Sequence, residues 1–175
     1  DDRALLRPLS LADLENLLPF SLQEPELWKF SLISGSGEDG LSNYIRTALE
    51  GRDTRKEYPF IVYDKQKGAY AGSTRFMNID HINKTVEIGS TWIGREFQGS
   101  GLNHQMKNLM LDYAFGEMDF EKVEFRIDER NGRSRKAVEK LGAKLEGILR
   151  KNVYLLDGYK RNTCCYGILR EEFIQ

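Results

Sequence analysis

Two glycines separated by one residue stand where a strand-like run gives way to a helical pattern, in the segment Gln98-Gly-Ser-Gly101-Leu-Asn103. The first amide groups of a helix have no partners within the helix, and the helix dipole places partial positive charge on them. Glycines let the main chain bend closely enough for such amides to converge on one anion. The turn therefore has the chemistry of a phosphate site and would suit a diphosphate. An ordinary helix start without a ligand is the alternative interpretation.

This turn does not match the two best-known phosphate loops. The dinucleotide-binding fingerprint would need a third glycine at the position of His104, and the P-loop would need a Gly-Lys-Ser/Thr sequence. The glycine turn therefore indicates a different kind of phosphate site.

The elements that position the turn are predicted from hydrophobic periodicity. Helical segments are predicted after the Ser10 cap, from Glu24 to Ser31 before the flexible joint Ser34–Gly37, and from Asp39 to Gly51. Strands are predicted at Ala4 to Leu9, Pro59 to Asp64, Tyr70 to Ile79 and Thr85 to Gly94. The last three have short turns between them, as in an antiparallel meander.

The turn is followed by two helices and three strands. They are predicted as a helix from Gly99 to Gly116, a strand from Lys122 to Asp128, a helix from Asn131 to Leu141, and strands from Ala143 to Leu155 and Tyr159 to Leu169. The first helix carries an apolar stripe: Leu102, Met106, Leu109, Met110 and Tyr113. Helices that interrupt a mostly antiparallel sheet predict an α+β (mixed α/β) fold, and we expect residues 1–175 to form one domain.

Composition excludes several classes of protein. The 26 basic and 27 acidic residues give a net charge of −1, so neither nucleic acid nor a membrane surface is expected as a partner. No apolar run approaches the roughly 18–20 residues of a membrane-spanning helix. The first residues, Asp1-Asp2-Arg3, do not have the pattern of a signal peptide.

Cysteines and histidines are few and unclustered. Cys164 and Cys165 are adjacent in a strand-like run, where neighbouring side chains point to opposite faces, so we expect two free thiols, one buried and one partly exposed. This usage fits a reducing cytosol. His81 and His104 have no clustered acidic or cysteine partners, so no metal site is expected.

A second pattern lies one strand beyond the glycine turn: Asn131-Gly-Arg-Ser134, continuing to Glu139-Lys-Leu-Gly-Ala143. With the turn, it resembles the GNAT superfamily of acyl-CoA N-acyltransferases, whose cofactor loop runs Gln/Arg-x-x-Gly-x-Gly/Ala. The continuation Leu145–Arg150 and the turn Asp157-Gly158 are similar to the RimJ/RimL-type branch, which includes ribosomal-protein N-terminal acetyltransferases. Asn103 departs from the small residue that usually ends the loop, and we expect binding to survive that change.

The resemblance implies a splayed sheet that holds acetyl-CoA. In such proteins the strand before the loop separates from the next strand, and the pantetheine arm lies in the gap. Backbone partners for the arm would come from Thr91, Trp92 and Ile93. Asn131 would reach the pantetheine in addition to capping its helix. The diphosphate would be held by Gln98, Gly99, Ser100, Gly101, Leu102 and Asn103.

The implied reaction is direct attack of a neutral amine on a thioester in a ternary complex. Glu87 is the candidate base: it lies between Val86 and Ile88 on the strand that feeds the loop, so it faces away from their packed side. Ser134, on the first turn of its helix, is the candidate acid or hydrogen-bond donor to the departing sulfur. Tyr154 and Tyr166 are open alternatives for the proton donor.

The sequence leaves three functions open. The first is transfer of an acetyl group from acetyl-CoA to a primary amine, by analogy a protein N-terminal α-amine. The others are acetylation of a small-molecule amine and a non-catalytic CoA-binding module. The resemblance is compatible with a monomer or a homodimer in the cytoplasm.

Overall fold

A computed structural model of the chain describes residues 2–173 and contains one seven-stranded sheet. Its strands are β1 (Ala4–Pro8), β2 (Glu57–Asp64), β3 (Ala69–Asp80), β4 (Thr85–Ile93), β5 (Lys122–Asp128), β6 (Lys144–Tyr154) and β7 (Lys160–Leu169). Their spatial order is β1-β2-β3-β4-β5-β7-β6. Every neighbouring pair is antiparallel except β4 and β5, which are parallel. The predicted α+β fold with a mostly antiparallel sheet is confirmed.

In the described part of the chain, four α-helices accompany the sheet: α1 (Leu14–Gln23), α2 (Gly37–Asp53), α3 (Leu102–Phe115) and α4 (Gly132–Glu139). The helix predicted from Glu24 to Ser31 is only a short 3-10 turn, Pro25–Trp28. The helix predicted from Gly99 begins instead at Leu102, because Gly99 and Gly101 have positive φ angles that a right-handed helix does not accommodate. The apolar stripe of α3 is buried at Leu102, Met106 and Met110, but Tyr113 is about half exposed.

The sheet opens between β4 and β5. These strands pair over only three positions, Thr85–Glu87 with Lys122–Glu124, although β4 continues to Ile93 and β5 to Asp128. Beyond the paired part β4 carries a bulge: Ser90 has φ +47, and β4 has one residue more than β3 between the Arg75–Gly89 and Ser73–Trp92 pairs. A bulge bends and twists its strand, so it helps to turn the end of β4 away from β5.

An aromatic cluster holds the end of β4 against the segment before β2. Trp92 packs edge-on against Phe20 at 5.9 Å and Trp28 at 5.1 Å between ring centroids, and Tyr44 lies 6.5 Å away. Such arrangements contribute about 0.5–1.5 kcal/mol per pair beyond the burial of their area. The end of β4 is therefore fixed by packing on α1 and α2 rather than by hydrogen bonds to β5.

The two cysteines and His81 have structural surroundings. Cys164 is buried and Cys165 is partly exposed, and both are free thiols, as predicted. His81 stacks on Phe120. Within residues 2–173, no helix is both long and apolar enough to cross a bilayer.

Replacing Gly72 by alanine is expected to destabilise the fold. A Cβ at Gly72 would lie 2.0 Å from the carbonyl oxygen of Trp92, so β3 and β4 would have to separate, at a cost of about 1–3 kcal/mol. Gly147→Ala is the matched control on β6, because nothing lies within 4 Å of an added Cβ there. Urea unfolding should show a lower midpoint for Gly72→Ala only. Equal midpoints for the two variants would contradict the close approach of the strands.

Candidate active site

The gap between β4 and β5 opens into a cavity of about 980 Å3. It runs from the start of α3 and α4 through the gap to the segment between α1 and α2. All the candidate site residues line it except Ser100 and Leu102: Glu87, Thr91, Trp92, Ile93, Gln98, Gly99, Gly101, Asn103, Asn131 and Ser134. The structure thus brings residues from two separate sequence patterns to one cavity.

The glycine turn forms a cradle of unpaired main-chain amides at the open end of the gap. Gly99 has φ +74 and Gly101 has φ +90, in the left-handed region that favours glycine. The amides of Gly99, Ser100, Gly101 and Asn103 donate to no acceptor in the part of the chain that the structure describes. Amides at a helix start that lack acceptors are suited to an anion.

Ser100 and Leu102 shape this cradle from beneath. The Ser100 hydroxyl donates to the carbonyl of Phe97 at 2.6 Å and accepts from the Leu102 amide at 3.4 Å. The Leu102 side chain is fully buried in the core. Both residues therefore hold the turn in place without lining the cavity.

Gln98 connects the end of β4 with α4. Its amide nitrogen donates to the carbonyl of Ile93 at 2.7 Å, and its amide oxygen accepts from the guanidinium of Arg133. The segment before the glycine turn is thus linked to α4 across the mouth of the cavity.

The free edge of β4 is formed by Thr91 and Ile93. Trp92 pairs with Ser73, and its carbonyl oxygen is directed at Gly72 on β3. Because successive residues of a strand direct their backbone groups to opposite edges, those of Thr91 and Ile93 face the gap. Trp92 lines the cavity, but its carbonyl is directed away from β5.

Charged groups are distributed unevenly along the cavity. The part near α3 and α4 is basic, with His104, Arg133, Lys136 and Lys140. The carboxylates Glu24, Glu26, Glu57, Glu87 and Asp128 also line the cavity, together with Lys29, Arg75, Arg95, Arg126 and Arg161. The cradle therefore opens into basic surroundings that suit phosphates, whereas the rest of the lining carries charges of both signs.

Glu87 is a buried carboxylate, only 6% exposed. Its Oε2 accepts from Nδ2 of Asn78 at 2.7 Å and lies 3.6 Å from Nε of Arg126. Burial raises the pKa of Glu87 above the usual range of a glutamate, while Asn78 and Arg126 oppose the shift. A carboxylate with a raised pKa in a cavity has the properties of a general base.

Asn131 and Ser134 lie together at the start of α4. Oδ1 of Asn131 accepts from the Ser134 amide at 3.2 Å, so Asn131 caps the helix. The Ser134 hydroxyl makes no hydrogen bond to any residue between positions 2 and 173, and Ser134 lines the cavity.

The two tyrosines considered as proton donors do not line the cavity. Tyr154 is 62% exposed, and Lys160 lies over its ring. The Tyr166 hydroxyl donates to Glu139 at 2.7 Å and accepts from Arg135 at 2.9 Å. Neither tyrosine is therefore placed like Ser134.

Several cavity residues were missed by sequence reasoning. Arg75 is buried and pairs with Glu57 at 2.6 Å, and Arg161 and Lys107 are also buried in the cavity wall. Asn78 reaches Glu87 through a bulge in β3, where Asn78 has φ +50. Only their position in the folded protein identifies these residues.

Among residues 2–173, no group of three or more histidine, cysteine, aspartate or glutamate side chains is arranged to hold a metal ion.

Comparison with known proteins identifies a family that matches most of the chain. Residues 3–144 match the family model described as acetyltransferase (GNAT) domain. The chain is 28% identical over 176 residues to the Bacillus subtilis (strain 168) protein "Putative ribosomal N-acetyltransferase YdaF", covering 97% of this chain and 91% of that protein. It is 27% identical to spermidine N(1)-acetyltransferase of Escherichia coli (strain K12), covering 61% and 56%.

A solved acetyltransferase structure is also similar to this chain over nearly its whole length. The crystal structure of a "putative acetyltransferase" from T. thermophilus superposes with a TM-score of 0.88 and 31% sequence identity. The match covers 99% of this chain and 89% of that one.

Glu87→Gln is expected to raise the melting temperature at neutral pH. The pKa of Glu87 is raised in the folded chain, so above that pKa the charged carboxylate destabilises the folded state relative to the unfolded one. The gain should shrink as the pH is lowered and the wild-type carboxyl becomes protonated. Glu121→Gln removes the same charge from an exposed residue that pairs with Lys84, and it should give no gain. Thermal unfolding at several pH values tests this; no gain for Glu87→Gln at neutral pH would contradict it.

Proposed function

Because this chain belongs to the GNAT acetyltransferase family, we propose that its cavity takes acetyl-CoA at the cradle and a primary amine at the end where Glu87 lies. The single observation that carries the proposal is the continuity of the cavity. Unpaired amides at a helix start and a buried carboxylate of raised pKa lie at two ends of one opening in the sheet.

The residues on the donor side fit the chemistry of coenzyme A. The amides of Gly99, Ser100, Gly101 and Asn103 would bind the diphosphate, and Arg133 and Lys136 add positive charge nearby. The edge of β4 at Thr91 and Ile93 would offer hydrogen bonds to the amide groups of the pantetheine arm, with the Ile93 carbonyl already accepting one from Gln98. Asn131 keeps its amide nitrogen for the same arm while its oxygen caps α4.

The residues on the acceptor side fit attack by an amine. The amine nitrogen would form a bond to the acetyl carbon as the carbon–sulfur bond breaks, and its proton would pass to Glu87, directly or through a water. Ser134, whose hydroxyl is uncommitted, would donate a hydrogen bond to the sulfur as negative charge develops there. Glu87 would then act on the incoming amine, and Ser134 would act on the departing sulfur.

We favour a protein N-terminal α-amine as the acceptor. An α-amine has a reference pKa of about 7.7–8.0, against about 10.4 for a lysine side chain, so less help is needed to reach the neutral form. The match to the ribosomal N-acetyltransferase relative spans nearly the whole of both chains, whereas the match to the spermidine enzyme covers about three-fifths of this one.

A polyamine is the second candidate, and the charges at the acceptor end weigh against it. A polycation would be favoured by uncompensated carboxylates. Here Glu57 is paired with Arg75 and Glu87 lies close to Arg126, while Arg161 adds a further positive charge. The acceptor end therefore lacks a surplus of negative charge that would bind a polycation.

The first test is calorimetric titration with coenzyme A. Gly101→Ala should weaken binding by roughly 5- to 100-fold. An alanine avoids the left-handed conformation, so coenzyme A binding would have to force the turn back into it at a cost of about 1–3 kcal/mol. Gly142→Ala is the matched control: its φ of +94 is nearly that of Gly101, its added Cβ also contacts nothing within 4 Å, and it lies outside the cavity wall. Absence of heat with the wild-type protein would overturn the proposal.

The second test is the pH dependence of kcat/KM for an N-terminal peptide acceptor. Glu87→Gln should lower the rate by about 100-fold or more, whereas Glu121→Gln, outside the cavity wall, should leave it within a few-fold. The acid side of the wild-type profile should show two breaks, one from the acceptor amine and one from Glu87. The Glu87 break should lie above the pH at which an ordinary glutamate titrates, since burial raises the Glu87 pKa.

Asn78→Gly gives that profile a second readout. It removes the hydrogen bond that stabilises the charged carboxylate while keeping the positive φ, so the pKa of Glu87 should rise further. The break assigned to Glu87 should move to higher pH, while the break from the acceptor amine stays where it is. A Glu87 break that does not move in this variant would show that Glu87 is not the titrating base.

A further inference from the structure

Lys107 is a buried lysine without a counter-ion. It lies on α3, is 6% exposed and lines the cavity. Its ammonium nitrogen lies 5.3 Å from the centroid of the Phe125 ring. Across residues 2–173, no carboxylate lies within 4.0 Å of this ammonium and no side chain or carbonyl accepts a hydrogen bond from it. The nitrogen itself keeps some accessible surface and so faces the cavity.

Such an ammonium is costly unless something binds to it. Buried cations are normally paired, because transfer of an ion out of water without a partner is strongly unfavourable. Burial lowers the pKa of Lys107 to about 8, so the side chain is still mostly protonated at neutral pH. A positive charge kept in a cavity wall without a protein partner indicates an anionic ligand group at that position.

The position of Lys107 indicates which part of a ligand it would meet. Pairing between β4 and β5 ends at Glu87 and Glu124, and Phe125 is the next residue on β5. The Lys107 ammonium therefore lies at the closed end of the gap. The cradle lies at the open end, and Lys107 is six residues beyond Gly101, or about 9 Å along the helix.

A thioester whose phosphates occupy the cradle would thus enter the gap with its acyl group leading. The phosphates themselves would remain near His104, Arg133 and Lys136, away from the closed end. The amine acceptor would reach Glu87 from the other face of the sheet, since the strand neighbours of Glu87 pack in the core cluster that includes α3. The acyl chain is therefore the part of the reactants that would approach this ammonium.

We propose that the closed end of the gap accepts the acyl group of acyl-CoA donors whose acyl chain ends in a carboxylate, as in a succinyl group, and that Lys107 binds that carboxylate. This inference rests on the proposed function, since it requires coenzyme A in the cradle. The bonds made and broken are those of acetyl transfer: the acyl carbon passes from sulfur to the amine nitrogen, and the distal carboxylate takes no part. The amine product would carry a negative charge in place of its former positive one.

Calorimetry with two thioesters of equal chain length tests the proposal. Succinyl-CoA and butyryl-CoA both have four-carbon acyl chains, and only the first ends in a carboxylate. Wild-type protein should bind succinyl-CoA more tightly by roughly 10- to 100-fold, the range expected for a charge-assisted hydrogen bond. In Lys107→Met, which keeps the length and apolar character of the chain, this preference should disappear or reverse.

Two further variants keep the test decisive. Lys136→Met removes a positive charge near the cradle, and it should weaken both thioesters by the same factor and leave their ratio unchanged. Lys107→Gln serves if the methionine variant does not fold, and it too should lose most of the preference.

Two results would overturn the inference. One is a wild-type protein that binds butyryl-CoA as tightly as succinyl-CoA. The other is a preference for succinyl-CoA that survives both Lys107 substitutions. If neither thioester nor coenzyme A itself binds to the wild-type protein, the proposed function fails as well, so the two failures are distinguishable.

Discussion

Hydrogen bonding between β4 and β5 stops after three residue pairs, and the rest of the site depends on this early end. Beyond it, one edge of β4 has no strand partner, which leaves backbone groups free and opens a passage through the sheet. A sheet interior normally satisfies such groups within the protein. Here the gap is kept open by the bulge at Ser90 and by aromatic packing that draws the end of β4 toward α1 and α2.

Because the gap passes through the sheet, it joins two chemically different surroundings. The starts of α3 and α4 supply free amides and basic side chains on one side, while the strands supply the buried side chains of Glu87, Arg75 and Arg161 on the other. Gln98 links the end of β4 with α4 by contacting both Ile93 and Arg133. Donor and acceptor can therefore approach the same point from opposite directions, as direct transfer requires.

Local pattern was sufficient to predict most of the fold. Strand β5 was placed at its observed bounds, Lys122–Asp128, because alternation and turn residues define it. The start of α3 was placed too early, since periodicity does not register the left-handed glycines before it. Asn78, Arg75 and Lys107 were missed for a different reason: their roles come from bulges and from the separation of strands, which are not local properties. Lys107 sits one residue after a buried methionine and has the appearance of an ordinary surface lysine in the sequence.

The aromatic cluster at the end of β4 has a spectroscopic consequence. The chain has two tryptophans, and both belong to this cluster, with ring centroids 5.1 Å apart. Trp92 also borders the cavity, and neither indole N–H has a hydrogen-bond partner within residues 2–173. All of the indole emission of the protein therefore originates beside the cavity wall, so intrinsic fluorescence monitors this one region without any introduced label.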